Sequence, residues 1–211
     1  MKTVILIIFT LVVCNASAQK GKYPSRYTGA PIITDSASTL FIPTLYNENV
    51  FSSDKMAVWG NYYANFLVYD FSNDSYRKLF NDDTYIETMP LKIARDHGES
   101  YRDHLMKLPD SFEGMILMVV KKNDTNKNGR IEKTDASILY ACNSRGEELR
   151  SISPHYENVT GIRLFGKLGF AMVEFQKDDD KDLSFRPEVR DFYYRKLDLK
   201  TLKLGEVISV N

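Results

Sequence analysis

Residues 115–142 read MILMVVKKNDTNKNGRIEKTDASILYAC, and the reading of this stretch decides the fold. Its first six residues, Met115-Ile116-Leu117-Met118-Val119-Val120, form an unbroken apolar run, and a second run, Ile138-Leu139-Tyr140-Ala141-Cys142, follows the polar loop between them. Apolar runs this short, bounded by turn residues, read as strands. An acidic loop set between two helices needs a 3.6-residue apolar period on each flank, and neither flank has one. The stretch therefore predicts strand, loop, strand, and places the chain in the mainly β class.

The loop itself carries chemistry. In DTNKNGRIEKTD, residues 124–135, positions one, three and five are Asp124, Asn126 and Asn128, all side-chain oxygen donors. Gly129 at position six allows the sharp turn, Arg130 at seven offers its backbone carbonyl, Glu132 stands at nine and Asp135 at twelve. Calcium takes six to eight oxygens at about 2.3–2.6 Å, and this spacing wraps them round one point. The expectation is a Ca2+ site formed by Asp124, Asn126, Asn128, Arg130, Glu132 and Asp135. Two features lower its affinity. Asp at position twelve reaches bidentate geometry less easily than Glu. Lys121, Lys122, Lys127, Arg130 and Lys133 crowd the same stretch. Both place the site in the weak extracellular class, with Kd on the order of 0.1–1 mM. The competing reading is an Asx-rich turn with no ion. Asp178, Asp180 and Asp182 repeat the one-three-five spacing, with Phe185 where Ile131 stands in the first loop. There, Leu183 replaces the glycine and Val189 occupies position twelve, so 178–189 reads as a degenerate acidic loop.

Outward from these loops, short β-type runs alternate with turn clusters at 40–42, 56–59, 65–71, 136–142, 161–165, 170–175, 191–197 and 206–210. Three units share the order strand, connection, tyrosine-bearing strand, tight turn. Their tyrosines are Tyr69, Tyr140 and Tyr194, and no fixed period separates them. Successive antiparallel units of this kind build propeller blades. The expected fold is all-β, with three to four blade-type antiparallel repeats over 39–211. A β-sandwich is the alternative. Residues 92–108 (KIARDHGESYRDHLMKL), bracketed by Pro90 and Pro109, are the one possible short helix.

Together the stretches DTNKNGRIEKTDASILYACNSRGEELRSISP and KDDDKDLSFRPEVRDFYYRKLDL resemble exported Bacteroidetes proteins with EF-hand-like loops set in propeller-like β repeats. MAVWGNYYANFLVYDFSNDSYRKLF resembles a further blade of the same set. The resemblance covers most of 39–208. It implies a cell-envelope setting and a β-repeat fold, and lends no substrate and no catalytic residue.

The N-terminus agrees with that setting. Lys2 precedes an apolar run of about ten residues and then Ala16-Ser17-Ala18, the layout of a cleaved signal peptide and too short to span a bilayer as a helix. The expected organisation is a signal peptide over 1–18, an extended leader over 19–38 and one domain thereafter. A lipid anchor on Cys14 is the alternative, but the residue before such a cysteine is ordinarily small and here is Val13. Cleavage after Ala18 leaves Cys142 alone, so no intramolecular disulfide forms and stability rests on packing or an ion. With 28 basic and 28 acidic residues the charge is balanced, which argues against nucleic acid as a partner. No later apolar stretch has transmembrane length.

Catalytic patterns are weak. His97 and His104 repeat an Arg-Asp-His motif seven residues apart, about 10 Å on a helix, too far to share a metal. Cys142 at the end of a β run reads as a small buried hydrophobe. Asp82, Asp83 and Glu87 could supply carboxylates for glycoside hydrolysis, and Trp59, Tyr62, Tyr63 and Phe66 could stack sugars, though aromatics at this spacing more often pack a sheet. The expected function is a non-enzymatic, exported cell-envelope protein, a binding or scaffold module for a protein or glycan partner, with a structural calcium site. The alternative is a small carboxylate-based hydrolase or glycan-active enzyme.

Overall fold

Residues 26–28, 32–33, 38–46, 62–87, 115–165, 168–186 and 188–209 are described in a computed structural model. In chain order the strands are β1 (Arg26–Thr28), β2 (Ile32–Ile33), β3 (Thr39–Tyr46), β4 (Tyr62–Asp70), β5 (Ser75–Lys78), β6 (Tyr85–Glu87), β7 (Met115–Lys121), β8 (Ile138–Asn143), β9 (Arg150–Ser151), β10 (Asn158–Phe165), β11 (Phe170–Gln176), β12 (Phe192–Asp198) and β13 (Lys203–Ser209). All pairings are antiparallel. Nine strands form one sheet, seven along the path β1-β3-β4-β6-β7-β8-β9 with β2 added on β3 and β5 on β4, and β10 to β13 form a second, a simple meander. The mainly β, antiparallel expectation holds, and no α-helix is present among the described residues. The short helix expected at 92–108, the strand at 56–59, the signal peptide and most of the leader lie outside the described residues.

The β7–β8 hairpin explains why its sequence is apolar throughout. Val120 pairs with Ile138, Met118 with Tyr140 and Ile116 with Cys142, and all six face one core with Phe41, Phe66, Val68 and Phe80. The alternate residues, Leu117, Val119, Leu139 and Ala141, face the other way into a second core with Val159, Ile162, Val173, Phe175 and Leu197. A hairpin sandwiched in this way has no solvent face, so its period-2 pattern is masked by apolar residues on both sides. The β10–β13 sheet covers one side. On the other side the first sheet folds over along β6, so that its β3–β4 half meets its β7–β8 half. The Phe80 and Tyr140 rings meet edge to face across this fold, with centroids 5.4 Å apart. Gly146, in the turn after β8, also sits there at φ +69°, and a Cβ would lie 3.1–3.2 Å from Val68, Arg77 and Phe41.

One buried polar residue holds that fold-over. Asn65 in β4 is 1 % exposed. β5 and β6 both pair with β4, on residues 67–70 and 62–63 respectively, and the chain leaves the ladder between them. Asn65 fills the gap in hydrogen bonding. Its Nδ2 donates to the carbonyls of Phe80 and Asp82, and its Oδ1 accepts from the amides of Phe66 and Phe80. The side chain thus replaces the missing ladder rungs, as a buried backbone requires. Pro43, which has no N–H, falls in β3 between the residues paired with β2 and those paired with β1.

Candidate metal centre

The loop after β7 and the loop after β11 have one conformation. Position four is left-handed in both (Lys127, φ 59°; Lys181, φ 58°), and so is position six (Gly129, φ 88°; Leu183, φ 56°). The position-one carboxylate accepts the position-six amide in each: Gly129 N to Asp124 Oδ2 at 2.7 Å, and Leu183 N to Asp178 Oδ2 at 3.1 Å. The position-five side chain accepts the position-seven amide, from Arg130 N at 2.9 Å and from Ser184 N at 2.7 Å. A leucine in left-handed backbone costs about 1 kcal/mol or more, and 178–183 adopts it without the glycine. The loop lacks the glycine, and through position seven it still follows the first loop.

Each loop is pinned by its position-eight side chain. Ile131 packs beside Tyr46, Ala64 and Tyr85, and Phe185 is 3 % exposed within the core that contains Phe41 and Phe66. The loops also bond directly to each other. Phe185 N donates to Thr134 O at 2.6 Å, and Thr125 Oγ1 lies 2.9 Å from Leu183 O.

The ligand-type residues of 124–135 divide into two groups. Asp124, Asn126, Asn128, Arg130 and Glu132 lie at least partly open to solvent. Asp124 Oδ1 and Asn126 Oδ1 accept the Asn128 amide, and Glu132 Oε1 accepts from Asn128 Nδ2 and Thr134 Oγ1. Oxygens bonded this way keep lone pairs for a cation. Asp135 is different: it is 0 % exposed. Its Oδ1 accepts the Thr125 amide at 2.7 Å, with Thr125 Oγ1 at 3.1 Å and the Asn126 amide at 3.4 Å, and its Oδ2 accepts the Glu132 amide at 2.7 Å. Beneath it, Lys121 Nζ donates to the Asp135 carbonyl and lies 3.8 Å from Glu87 Oε1, with both side chains under a tenth exposed. Burial pulls the Lys121 ammonium below the usual lysine range, opposed by Glu87 and Asp135, and burial pushes the Glu87 carboxyl up, opposed by Lys121 and by Ser137.

The second loop concentrates its charge. Asp178, Asp180 and Asp182 each place a carboxylate oxygen within 4.8 Å of the others, a cluster that could hold a metal ion. Asp178 Oδ1 is shielded from solvent and accepts no hydrogen bond. Desolvation raises the Asp178 carboxyl, and the Asp180 and Asp182 charges add to that rise. Arg186 neutralises part of the charge from outside, 3.1 Å from Asp182 and 3.8 Å from Asp180.

Other candidates resolve into packing. Glu87 is committed to Lys121 and Ser137. Phe66 is core, with Tyr63 against it at a centroid distance of 5.0 Å. Cys142 is buried and free. Trp59, His97 and His104 lie outside the described residues. No helix among the described residues is long and apolar enough to cross a membrane. Sequence reasoning missed Asn65, whose only signal is a polar residue at an apolar phase of β4, and it missed the Lys121–Glu87 pair.

No protein-family model and no curated protein matches the chain. Among solved structures, TolB from Acinetobacter baumannii is similar at 10% identity and a TM-score of 0.35, over 85% of this chain and 31% of that one. A structure of Tne2 in complex with Tni2 is similar at 8% identity and a TM-score of 0.39, over 86% and 97%. A puromycin hydrolase is similar at 10% identity and 0.33, over 85% and 28%. The chain therefore spans about a third of the TolB chain it matches. With TM-scores below 0.4, the architecture rests on strand pairing and core packing.

Proposed function

We propose that this protein is an exported, calcium-stabilised binding or scaffold module of the cell envelope, without catalytic activity. The observation that carries the reading is the conformation that residues 124–130 and 178–184 share, which presents oxygens at matching positions after β7 and after β11. Calcium would be held by Asp124, Asn126, Asn128, the Arg130 carbonyl, Glu132 and Asp135 in the first loop, and by Asp178, Asp180 and Asp182 in the second. Both loops sit on strands rather than helices, so an ion there fixes the connection between layers and opens no helix pair. The layers β3–β4, β7–β8 and β10–β13 then act as propeller-like blades, packed face to face and tied at one end by the loops. The signal-like N-terminus supports export to an environment where calcium reaches about 1 mM, and there a site with Kd of about 0.1 mM contributes about 1.4 kcal/mol.

The test is the thermal midpoint with 1 mM calcium and with chelator, for the natural sequence, Asp124→Ala and Asp180→Ala. For a domain of this size the expected rise is about 3–6 °C, reduced by each substitution. An unchanged midpoint in the natural sequence would reject the calcium reading and leave two Asx-rich turns.

A further inference from the structure

We infer that Asp135 is the clasp that preforms the 124–135 loop and is not one of its metal ligands. The inference rests on the calcium reading of that loop and revises its ligand set. The loop's spacing casts position twelve as the bidentate ligand; the geometry assigns that carboxylate elsewhere. Asp135 Oδ1 accepts the Thr125 and Asn126 amides, with the Thr125 hydroxyl 3.1 Å away, and Oδ2 takes the Glu132 amide. Glu132 O in turn accepts the Asp135 amide at 3.1 Å. The carboxylate thus ties positions two and three to position nine, across the whole loop, and it does so at 0 % exposure.

Charge points the same way. A buried carboxylate requires a counter-charge, and Lys121 in β7 supplies it: its ammonium bonds to the Asp135 carbonyl, pairs with Glu87 and is favoured by the Asp135 charge. Asp135 is fully buried, and moving its carboxylate out toward an ion would draw it from the backbone amides it accepts, at a cost for each group left unpaired. The remaining donors, Asp124, Asn126, Asn128, the Arg130 carbonyl and Glu132, supply five residues' oxygens, and water completes a calcium shell of six or seven. Glu132, half open and reaching Asn128 and Thr134, becomes the loop's closing carboxylate. A site closed by one half-open glutamate at position nine is weak, as a structural site in a calcium-rich medium can be.

Three variants of the full chain separate clasp from ligand: Asp135→Asn, Asp135→Glu and Glu132→Gln. Each is measured by urea unfolding in chelator and by calcium titration calorimetry. Asp135→Asn is expected to lower the urea midpoint in chelator while its calcium affinity stays within about threefold. Glu132→Gln should keep the chelator midpoint and lose tenfold or more in affinity. Asp135→Glu is the sharper arm. A position-twelve ligand would gain affinity from the longer side chain, whereas a clasp would be overpacked, so the chelator midpoint should fall with no gain in affinity. An unchanged chelator midpoint in Asp135→Asn with loss of calcium binding, or tighter binding in Asp135→Glu, overturns the inference. If Asp135→Asn does not fold, Thr125→Ala, which removes the hydroxyl beside the same carboxylate together with its contacts to Leu183 O and the Ala136 amide, should likewise lower the chelator midpoint and leave calcium affinity within about threefold. If the natural sequence binds no calcium, the calcium reading fails, and the chelator midpoints still decide whether Asp135 is a clasp.

Discussion

Among single residues, Cys142 shows most directly how burial sets chemistry. Its thiol lies between layers, 1 % exposed, and burial pushes its pKa up to about 12 against a small opposing pull from Arg77. The unfolded chain ionises this thiol from about pH 8.5 upward, while the folded chain holds the proton. Above that pH the unfolded state binds fewer protons, so stability falls as pH rises, at about 1.4 kcal/mol per unit until the folded pKa is reached. Below about pH 7 the thiol contributes almost no slope. Urea midpoints measured from pH 8 to 10 should therefore decline in the natural sequence and decline less in Cys142→Ala. Equal slopes would mean that the thiol ionises in the folded protein. Cys142's place was legible because a cysteine inside an apolar run has one obvious fate. Asn65 was not legible, because nothing in LVYDF or YYAN states that the partner strand breaks opposite it.

At the level of elements, strands were readable where local pattern decides them and unreadable where pairing does. β7, β8, β11 and β12 follow from apolar runs, whereas β5 and β6 are short, and β5 is fully exposed along its length. Their existence depends on β4 offering an edge, a long-range fact. The same contrast governs energetics. Leu139 is fully buried between β7, β10 and β11, while Val207 on β13 is 56 % exposed at a sheet edge. Leu139→Ala should cost about 2–5 kcal/mol in urea unfolding, through lost burial and the cavity left behind. Val207→Ala should stay within about 0.5 kcal/mol. Comparable losses at both sites would show that β13 is covered in solution. The loops behave as elements too: the one-three-five spacing was visible, yet the division of labour inside 124–135 was not. Spacing lists which residues can donate oxygen, and burial decides which of them are already occupied.

For the molecule as a whole, two sheets supply the three layers, and the acidic loops bind the layers together. The Phe185 amide bonds to Thr134 in the other loop while its ring lies in the core of the first sheet. Opening that hydrogen bond requires the loops to part, which is a smaller event than global unfolding. Calcium favours the closed loop over the open one by its binding free energy, so the Phe185 amide should exchange about tenfold more slowly at 1 mM calcium than in chelator, matching about 1.4 kcal/mol. The β7–β8 amides lie in a two-sided core and exchange only through the largest openings, so they should slow by no more than the same factor. Amides at the outer edge of β13, where Val207 and Ile208 are exposed, exchange by local fraying and should not respond. Hydrogen exchange at matched pH, with and without calcium, reads all three classes in one experiment. A response confined to Phe185 and the loop residues would mean that the ion acts locally on the loop pair. A response equal at β7, β8 and Phe185 would mean that the loops part only when the layers do, making the calcium site part of the global fold. A response at the β13 edge would contradict both, since no calcium-dependent contact reaches that strand among the described residues.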